Sequence, residues 1–332
     1  MTHDRTILIW NTKDFANKNK RSCRGNIEYD HAQHICWSPD SKAFVIFKAV
    51  ESGIDVYKMK KKADGNLGDI QKAFSFPEYN RNITVIALGV AVTGKFIMTC
   101  DEKNQLMLWD LKGKTLEKID TRHGDTYSAQ ISPCGRFIIT TGFTPDAKVW
   151  EVKFNKSGSY ECLKRVFELK GHCAGIYTCS INCDSSRMAT ISKDVEYEQG
   201  QEPYFLLSNQ YNKSDIRPVI ALSPDGRTIA VGIGPDLTFY STVTGENLYS
   251  INNIHLDHIK DVKFDPSSKY LVTIGDKHPK VFINVAGYQT LIQDLERSKN
   301  KSQTSAMKER ITAQIQEAKS ALKELNMTIP QC

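Results

Sequence analysis

The chain has 332 residues, 40% of them hydrophobic and 25% charged, with a formal net charge of +6. This is the composition of an ordinary globular protein, long enough for one large repeat domain or two smaller ones. It excludes a collagen-like, low-complexity or acidic disordered chain, and no apolar run reaches the length that a membrane-spanning helix needs.

A partial unit opens the chain. Met1-Thr2-His3-Asp4 followed by Ile7-Leu8-Ile9-Trp10 parallels Met98-Thr99-Cys100-Asp101 followed by Leu106-Met107-Leu108-Trp109. Complete units follow at roughly 40-residue intervals. The first spans about Ile27–Asp64, with Phe44–Phe47 and Ile54–Tyr57 as its second and third strands. The next spans about Ile83–Asp120, with strands at Lys95–Thr99 and Leu106–Trp109. A third covers about Tyr127–Leu169, through Phe137–Thr140 and Lys148–Trp150. A fourth begins at Ile176, a fifth covers about Val219–Ile251 and a sixth about Val262–Val285.

Each unit has a turn, a base, a β-rich run and then an aromatic residue often followed by an acidic one, as in Trp109-Asp110 and Trp150-Glu151. The turns read Ser38-Pro39-Asp40-Ser41, Val92-Thr93-Gly94, Ser132-Pro133-Cys134-Gly135, Cys183-Asp184-Ser185-Ser186, Ser223-Pro224-Asp225-Gly226 and Asp265-Pro266-Ser267-Ser268. The bases are Lys42, Lys95, Arg136, Arg187, Arg227 and Lys269. Four short alternating strands per unit at this period predict an all-β WD40 propeller. With the opening unit completed, the count is seven blades: the first truncated, one internal blade short of a strand. The propeller is expected over 1–287 and a helical segment over 288–327.

The fourth unit departs from the pattern. Gly171-His172 and the run Met188–Ser192 stand where expected, followed by Lys193-Asp194. The next residues are Val195-Glu196-Tyr197, where a strand ending in Trp-Asp belongs. His172, Ser192 and Asp194 are the candidate members of a buried hydrogen-bond relay of the WD kind. A His–Ser–Asp set also has the residue types of a nucleophilic triad, but the repeat context favours the structural role.

After Val285 the period changes. Tyr288–Leu325 contains no Pro or Gly, and Ile311, Ile315, Ala318, Leu322 and Leu325 recur at helical spacing. Leu291, Ile292 and Leu295 mark an earlier helical segment, with a break near Lys299–Ser302. The apolar stripe could dock on the propeller, pair with another chain or stay loosely attached.

The chain carries nine cysteines, none in a CxxC pair. The odd count and strand positions predict reduced thiols, as in the cytosol. His172 with Cys173, Cys179 and Cys183 fits no structural zinc spacing. There is no P-loop, dinucleotide fingerprint, HExxH or nucleophile elbow, so the expectation is a binding protein with no cofactor and no small-molecule substrate. Tyr127, Tyr177, His258 and Lys260 are candidate partner contacts on the face formed by loops entering the first strand of each blade. Lys13, Lys18, Lys20, Arg21 and Arg24, with Lys58 and Lys60–Lys62, raise RNA or ribosome binding as the alternative.

Particular strings narrow the reading. Asp4-Arg5-Thr6-Ile7 with Trp10, Ser132–Phe137, Gly142–Val152, Phe167–His172 and Asp194–Tyr197 resemble the transducin beta-like protein 2 family of WD40 proteins. The resemblance implies a seven-bladed, non-enzymatic propeller held on the cytosolic side of the endoplasmic reticulum by an N-terminal membrane segment. It also implies stress signalling through the kinase PERK and control of translation. This chain contains no such membrane segment, so the expectation for it is cytoplasmic.

Overall fold

The computed structural model describes residues 5–10, 22–61, 67–76, 84–193, 216–301 and 304–328. They form two compact units, Met1–Leu169 and Lys170–Cys332.

In the first unit, β1 (Thr6–Trp10) pairs with β2 (Ser22–Asn26) in a two-stranded antiparallel sheet. Three four-stranded antiparallel sheets follow. The first has β3 (Ala32–Trp37), β4 (Ala43–Lys48), β5 (Ile54–Lys61) and β6 (Leu67–Ser75). The second has β7 (Val85–Val90), β8 (Ile97–Asp101), β9 (Gln105–Trp109) and β10 (Thr115–Asp120). The third has β11 (Thr126–Ile131), β12 (Phe137–Gly142), β13 (Ala147–Phe154) and β14 (Tyr160–Leu169). Each strand pairs with the next in sequence, the up-and-down order of a propeller blade.

The second unit continues with β15 (Ile176–Ile181) and β16 (Met188–Ser192), which pair with each other. A four-stranded sheet holds β17 (Val219–Leu222), β18 (Thr228–Ile233), β19 (Asp236–Ser241) and β20 (Asn247–Ile251). A three-stranded sheet holds β21 (Asp261–Phe264), β22 (Tyr270–Ile274) and β23 (Lys280–Ile283). The architecture is thus an all-β propeller, with five blades of three or four strands and two sheets of two described strands, followed by two helices. Asp194 and Val195-Glu196-Tyr197 lie outside the described residues, as do Met1–Asp4.

The sheets form because the chain alternates apolar residues between tight turns. Each turn before a second strand holds one residue in the left-handed region: Ser41, Gly94, Gly135, Ser185, Gly226 and Ser268, with φ of 55–69°. In four of these turns a serine hydroxyl or carboxylate ties the loop to the strand that follows. Ser38, Ser132 and Ser223 accept the amides of Ala43, Phe137 and Thr228, and Asp265 accepts that of Tyr270. Such side-chain bonds satisfy backbone groups that the ladder cannot reach.

The core consists of apolar layers between sheets. Met98, Leu106 and Leu108 meet Ile138 and Trp150 in one cluster; Phe47, Ile54 and Val56 meet Val85, Ile97 and Trp109 in another. Ile7 and Ile9 of β1 pack on Phe44, Ile46 and Tyr57. In the second unit Ala230, Leu237 and Phe239 meet Val262, Leu271 and Ala286. Each fully buried large side chain stabilises the fold by about 1.5–3 kcal/mol.

The tail forms α1 (Val285–Lys301) and α2 (Ser305–Thr328). α1 packs on β18, β19 and β20 and on α2. It is tied down by Gln293 on the Ser241 hydroxyl at 2.9 Å and by Arg297 on the Val243 carbonyl. Ile311, Ile315 and Ala318 of α2 are buried, and Lys319 pairs with Glu296 of α1 at 3.1 Å. None of the three expected fates describes the stripe as it stands: α2 packs against α1, and it is α1 that packs on β18, β19 and β20. No helix among the described residues is long and apolar enough to cross a membrane.

Candidate functional site

Several of the loops that enter a first strand are held by buried or half-buried hydrogen bonds. In the β11–β14 blade, Trp150 Nε1 donates to Thr140 Oγ1 at 3.0 Å. His123 Nε2 lies 3.0 Å from the same hydroxyl, and His123 Nδ1 lies 2.5 Å from Thr144 Oγ1. His123 and Thr140 are fully buried. Burial, reinforced by the nearby Lys148 charge, pushes the His123 pKa down to about 4, so the ring is neutral at pH 7. The network then assigns the tautomer: Thr140 accepts from Trp150 and donates to His123 Nε2, and Nδ1–H donates to Thr144. Lys148, its own pKa lowered by burial, donates to the carbonyls of Thr121 and Arg122 at 3.2 and 2.5 Å and so pins the loop that carries His123.

The same device recurs in parts. Trp109 Nε1 donates to Thr99 at 3.0 Å in the β7–β10 blade. His255 Nε2 lies 2.9 Å from Thr273, and its Nδ1 is 3.2 Å from Asp276. The Asp276 pKa is pushed down to about 2, first by the backbone amide of His278 and further by His255.

At β16, the strand hydroxyl facing His172 Nε2 is that of Thr190, 2.8 Å away. Ser192 holds a different place. It pairs with Ile176 ahead of a register shift between Ile176 and Thr178. Gly142 pairs with Thr126 ahead of the equivalent shift in its own blade. Ser192 therefore stands where Gly142 stands, two residues past the relay hydroxyl. Asp194 lies outside the described residues. The missed members His123, His255, Thr140, Thr190 and Thr273 share a signal: each of these threonines stands 17 or 18 residues after a His.

The register shift is itself a recurring feature. It occurs at the start of the first strand in four sheets, at Ala32/His34, Val85/Ala87, Thr126/Ser128 and Ile176/Thr178. The extra residues at these bulges are Gln33, Ile86, Tyr127 and Tyr177, all half-buried. A bulge inserts one residue into the pairing and re-aims its side chain. Two of the four sequence-predicted contact residues, Tyr127 and Tyr177, thus occupy equivalent places, one in each compact unit.

His258 and Lys260 lie just before β21. Both face Asp257: His258 Nδ1 at 2.8 Å and Lys260 Nζ at 3.9 Å. The Asp257 pKa is lowered, first by the His258 amide. Beside them Leu256 is 99% exposed, an apolar side chain set among charges at the loop tip. The structure brings His258 and Lys260 together around one carboxylate.

Among the described residues no group of three His, Cys, Asp or Glu side chains is placed to hold a metal ion. The eight described cysteines are free thiols. Burial pushes the Cys179 pKa up to about 12 and raises that of Cys100 further, which keeps both protonated and unreactive.

Comparison with known proteins places this arrangement. The family model described as eukaryotic translation initiation factor eIF2A matches residues 11–160. Actin-interacting protein 1 of Drosophila melanogaster is 26% identical over 218 residues, covering 62% of this chain and 32% of that protein. Transducin beta-like protein 2 of Mus musculus is 36% identical over 332 residues, covering 97% of this chain and 75% of that protein. The Homo sapiens protein of the same name is 36% identical over 333 residues, covering 97% and 74%. Identity of that degree across nearly the whole chain, on a propeller of the expected repeat, shows that the chain belongs to the transducin beta-like protein 2 family.

Proposed function

We propose that this chain is a non-catalytic protein-binding scaffold of stress signalling at the cytosolic face of the endoplasmic reticulum, with the kinase PERK among its partners and translation control downstream. The observation that carries the reading is the pairing of relay and bulge within each unit. A His–Thr bond fixes the loop before a partner arrives, and a bulge presents a tyrosine beside it, Tyr127 in one unit and Tyr177 in the other. Preorganised display of aromatic and charged side chains lowers the entropy cost of binding. Family membership supports the stress pathway and the membrane address; the compartment proposed for this chain is the cytosol.

The same reading assigns Tyr127, Tyr177, His258 and Lys260 to partner contact. It gives His172, with Ser192 and Asp194, the task of holding the entrance to β15. The architecture is read as seven blades over 1–287 with a helical segment over 288–327.

The test uses the purified full chain and the cytosolic region of PERK in a biosensor assay. The expected result is saturable binding that falls roughly tenfold or more when Tyr177→Ala and His258→Ala are combined. Absence of binding by the unaltered chain overturns the kinase assignment. A second reading, RNA or ribosome binding, is supported by the eIF2A match, whose span includes the exposed Lys58 and Lys60. Crosslinking that recovers RNA from the chain and loses it in Lys58→Glu/Lys60→Glu favours that reading.

A further inference from the structure

Three of the turns that precede a second strand carry an aspartate just before the residue of positive φ: Asp40, Asp184 and Asp225. In each, Oδ1 accepts the amide two residues on, that of Lys42 at 3.1 Å, Ser186 at 2.8 Å and Arg227 at 3.2 Å. Asp40 and Asp225 also pair with the Lys42 and Arg227 side chains, at 3.9 and 3.4 Å. A carboxylate thus occupies this corner in three of the six turns, set against a backbone amide and in two of the three cases a base as well.

Three turns lack it. In one, Ser267 takes the position and Asp265 supplies the carboxylate from two residues earlier, accepting the Ser267 amide at 3.1 Å. In the other two stand Thr93 and Cys134, while the bases Lys95 and Arg136 are retained. These two turns are neighbours: a Cβ built on Gly135 would lie 2.9 Å from the Thr93 methyl. Together with the end of β13 they wall a cleft of ≈ 350 Å³. Lys95 Nζ lies 4.9 Å from the ring centroid of Phe154, which lines the cleft. The wall carboxylate, Glu151, is already committed. Its Oε1 accepts from Arg136 Nε at 2.7 Å and from Nη2, and its Oε2 lies 3.4 Å from Lys153 Nζ. The cleft presents Lys95, Arg136 and Lys153 against Glu151 and Glu161, a surplus of positive charge.

We infer that this cleft receives a carboxylate side chain from an acidic segment of a protein partner, which takes the corner that Asp40, Asp184 and Asp225 occupy in their own turns. The inference rests on the protein-binding reading above and names the chemistry of one contact. A nucleic-acid strand fits less well. Its repeating phosphates need a continuous basic track, and Glu151 and Glu161 interrupt this one. The volume suits one or two side chains.

The test is fluorescence anisotropy of a labelled oligoglutamate peptide with the full chain, alongside oligolysine and single-stranded oligouridylate. The decisive variant is Thr93→Asp/Cys134→Asp, which supplies the corner from within, as the other turns do; Lys95→Glu is the second variant, and melting curves of both confirm folding. Oligoglutamate is expected to bind, to weaken as salt rises, and to lose about tenfold or more in affinity in both variants, the loss of one or more charge-assisted hydrogen bonds. No binding by the unaltered chain, unchanged affinity in the variants, or preferential binding of oligouridylate overturns the inference. Such a failure with kinase binding intact leaves the scaffold reading standing. Loss of kinase binding with oligoglutamate binding intact removes the scaffold partner and keeps the cleft.

Discussion

The β11–β14 blade and the described strands β15 and β16 start from the same plan and bury its hydrogen bond to different extents. Both begin with a bulged first strand, and both place a His imidazole on a strand threonine, at 3.0 and 2.8 Å. In β11–β14 the threonine is also bonded to the Trp150 indole, and its residue is fully buried. In β15–β16 both Thr190 and His172 are half-buried. The His–Thr bond therefore forms without a tryptophan. What Trp150 adds at Thr140 is enclosure, which turns a replaceable hydrogen bond into one whose loss leaves buried groups unpaired.

The largest expected effect is that of Trp150→Ala. It removes a buried indole from the core layer and one partner of Thr140, and should cost about 3–5 kcal/mol in chemical denaturation. A cost below about 1 kcal/mol would mean that the two regions are equally open.

Next is the paired substitution at the shared hydroxyl. Thr140→Val strands both the indole N–H and the imidazole, and should cost about 2–4 kcal/mol, since each buried unpaired group costs about 1–3. Thr190→Val leaves a half-exposed imidazole that water can serve, and should cost less than about 1 kcal/mol. Equal costs would contradict the contrast in enclosure.

A pH titration sharpens it further. His123 has a folded pKa of about 4 against an ordinary 6.5. The unfolded chain therefore takes up the proton first, and stability falls as pH drops from about 6.5 to about 4, by something on the order of 3 kcal/mol. Above pH 6.5 both states are neutral and the effect vanishes. His123→Gln should flatten this window in a series of urea midpoints, and an unchanged slope would assign the pH dependence elsewhere.

The smallest effect comes from the position after the relay. A Cβ on Gly142 would sit 2.2 Å from the Asp125 carbonyl oxygen and 2.7 Å from His123 Cβ, so Gly142→Ala should cost about 1–3 kcal/mol through overpacking. Ser192, at the same register, already carries a side chain, and Ser192→Gly should shift the thermal midpoint only slightly, by about 1 kcal/mol or less. A larger loss at Ser192 than at Gly142 would show that the serine makes an essential contact.

Much of the fold was legible because its rules are local. Alternation of apolar residues marked the run Met188–Ser192 with the bounds of β16, and the Ile311–Ile315–Ala318 stripe marked the buried face of α2. The turns were visible as Pro, Asp, Ser and Gly clusters. The relay was harder to see. Gly171-His172 drew the eye, whereas His123 precedes its glycine and His255 has none beside it. The hydroxyl that His172 Nε2 reaches is that of Thr190, and it is set by the register beyond a shift at the start of the facing strand.

By itself the sequence determined the repeat and the strand and helix periods, since each depends on residues a few positions apart. Only the tertiary structure decided that α2 packs on α1, that Thr190 faces His172, and that two of the turns without an aspartate at the corner, those of Thr93 and Cys134, wall one cleft. Those outcomes depend on register and on the packing of one sheet against the next, which bring together residues that no local pattern connects.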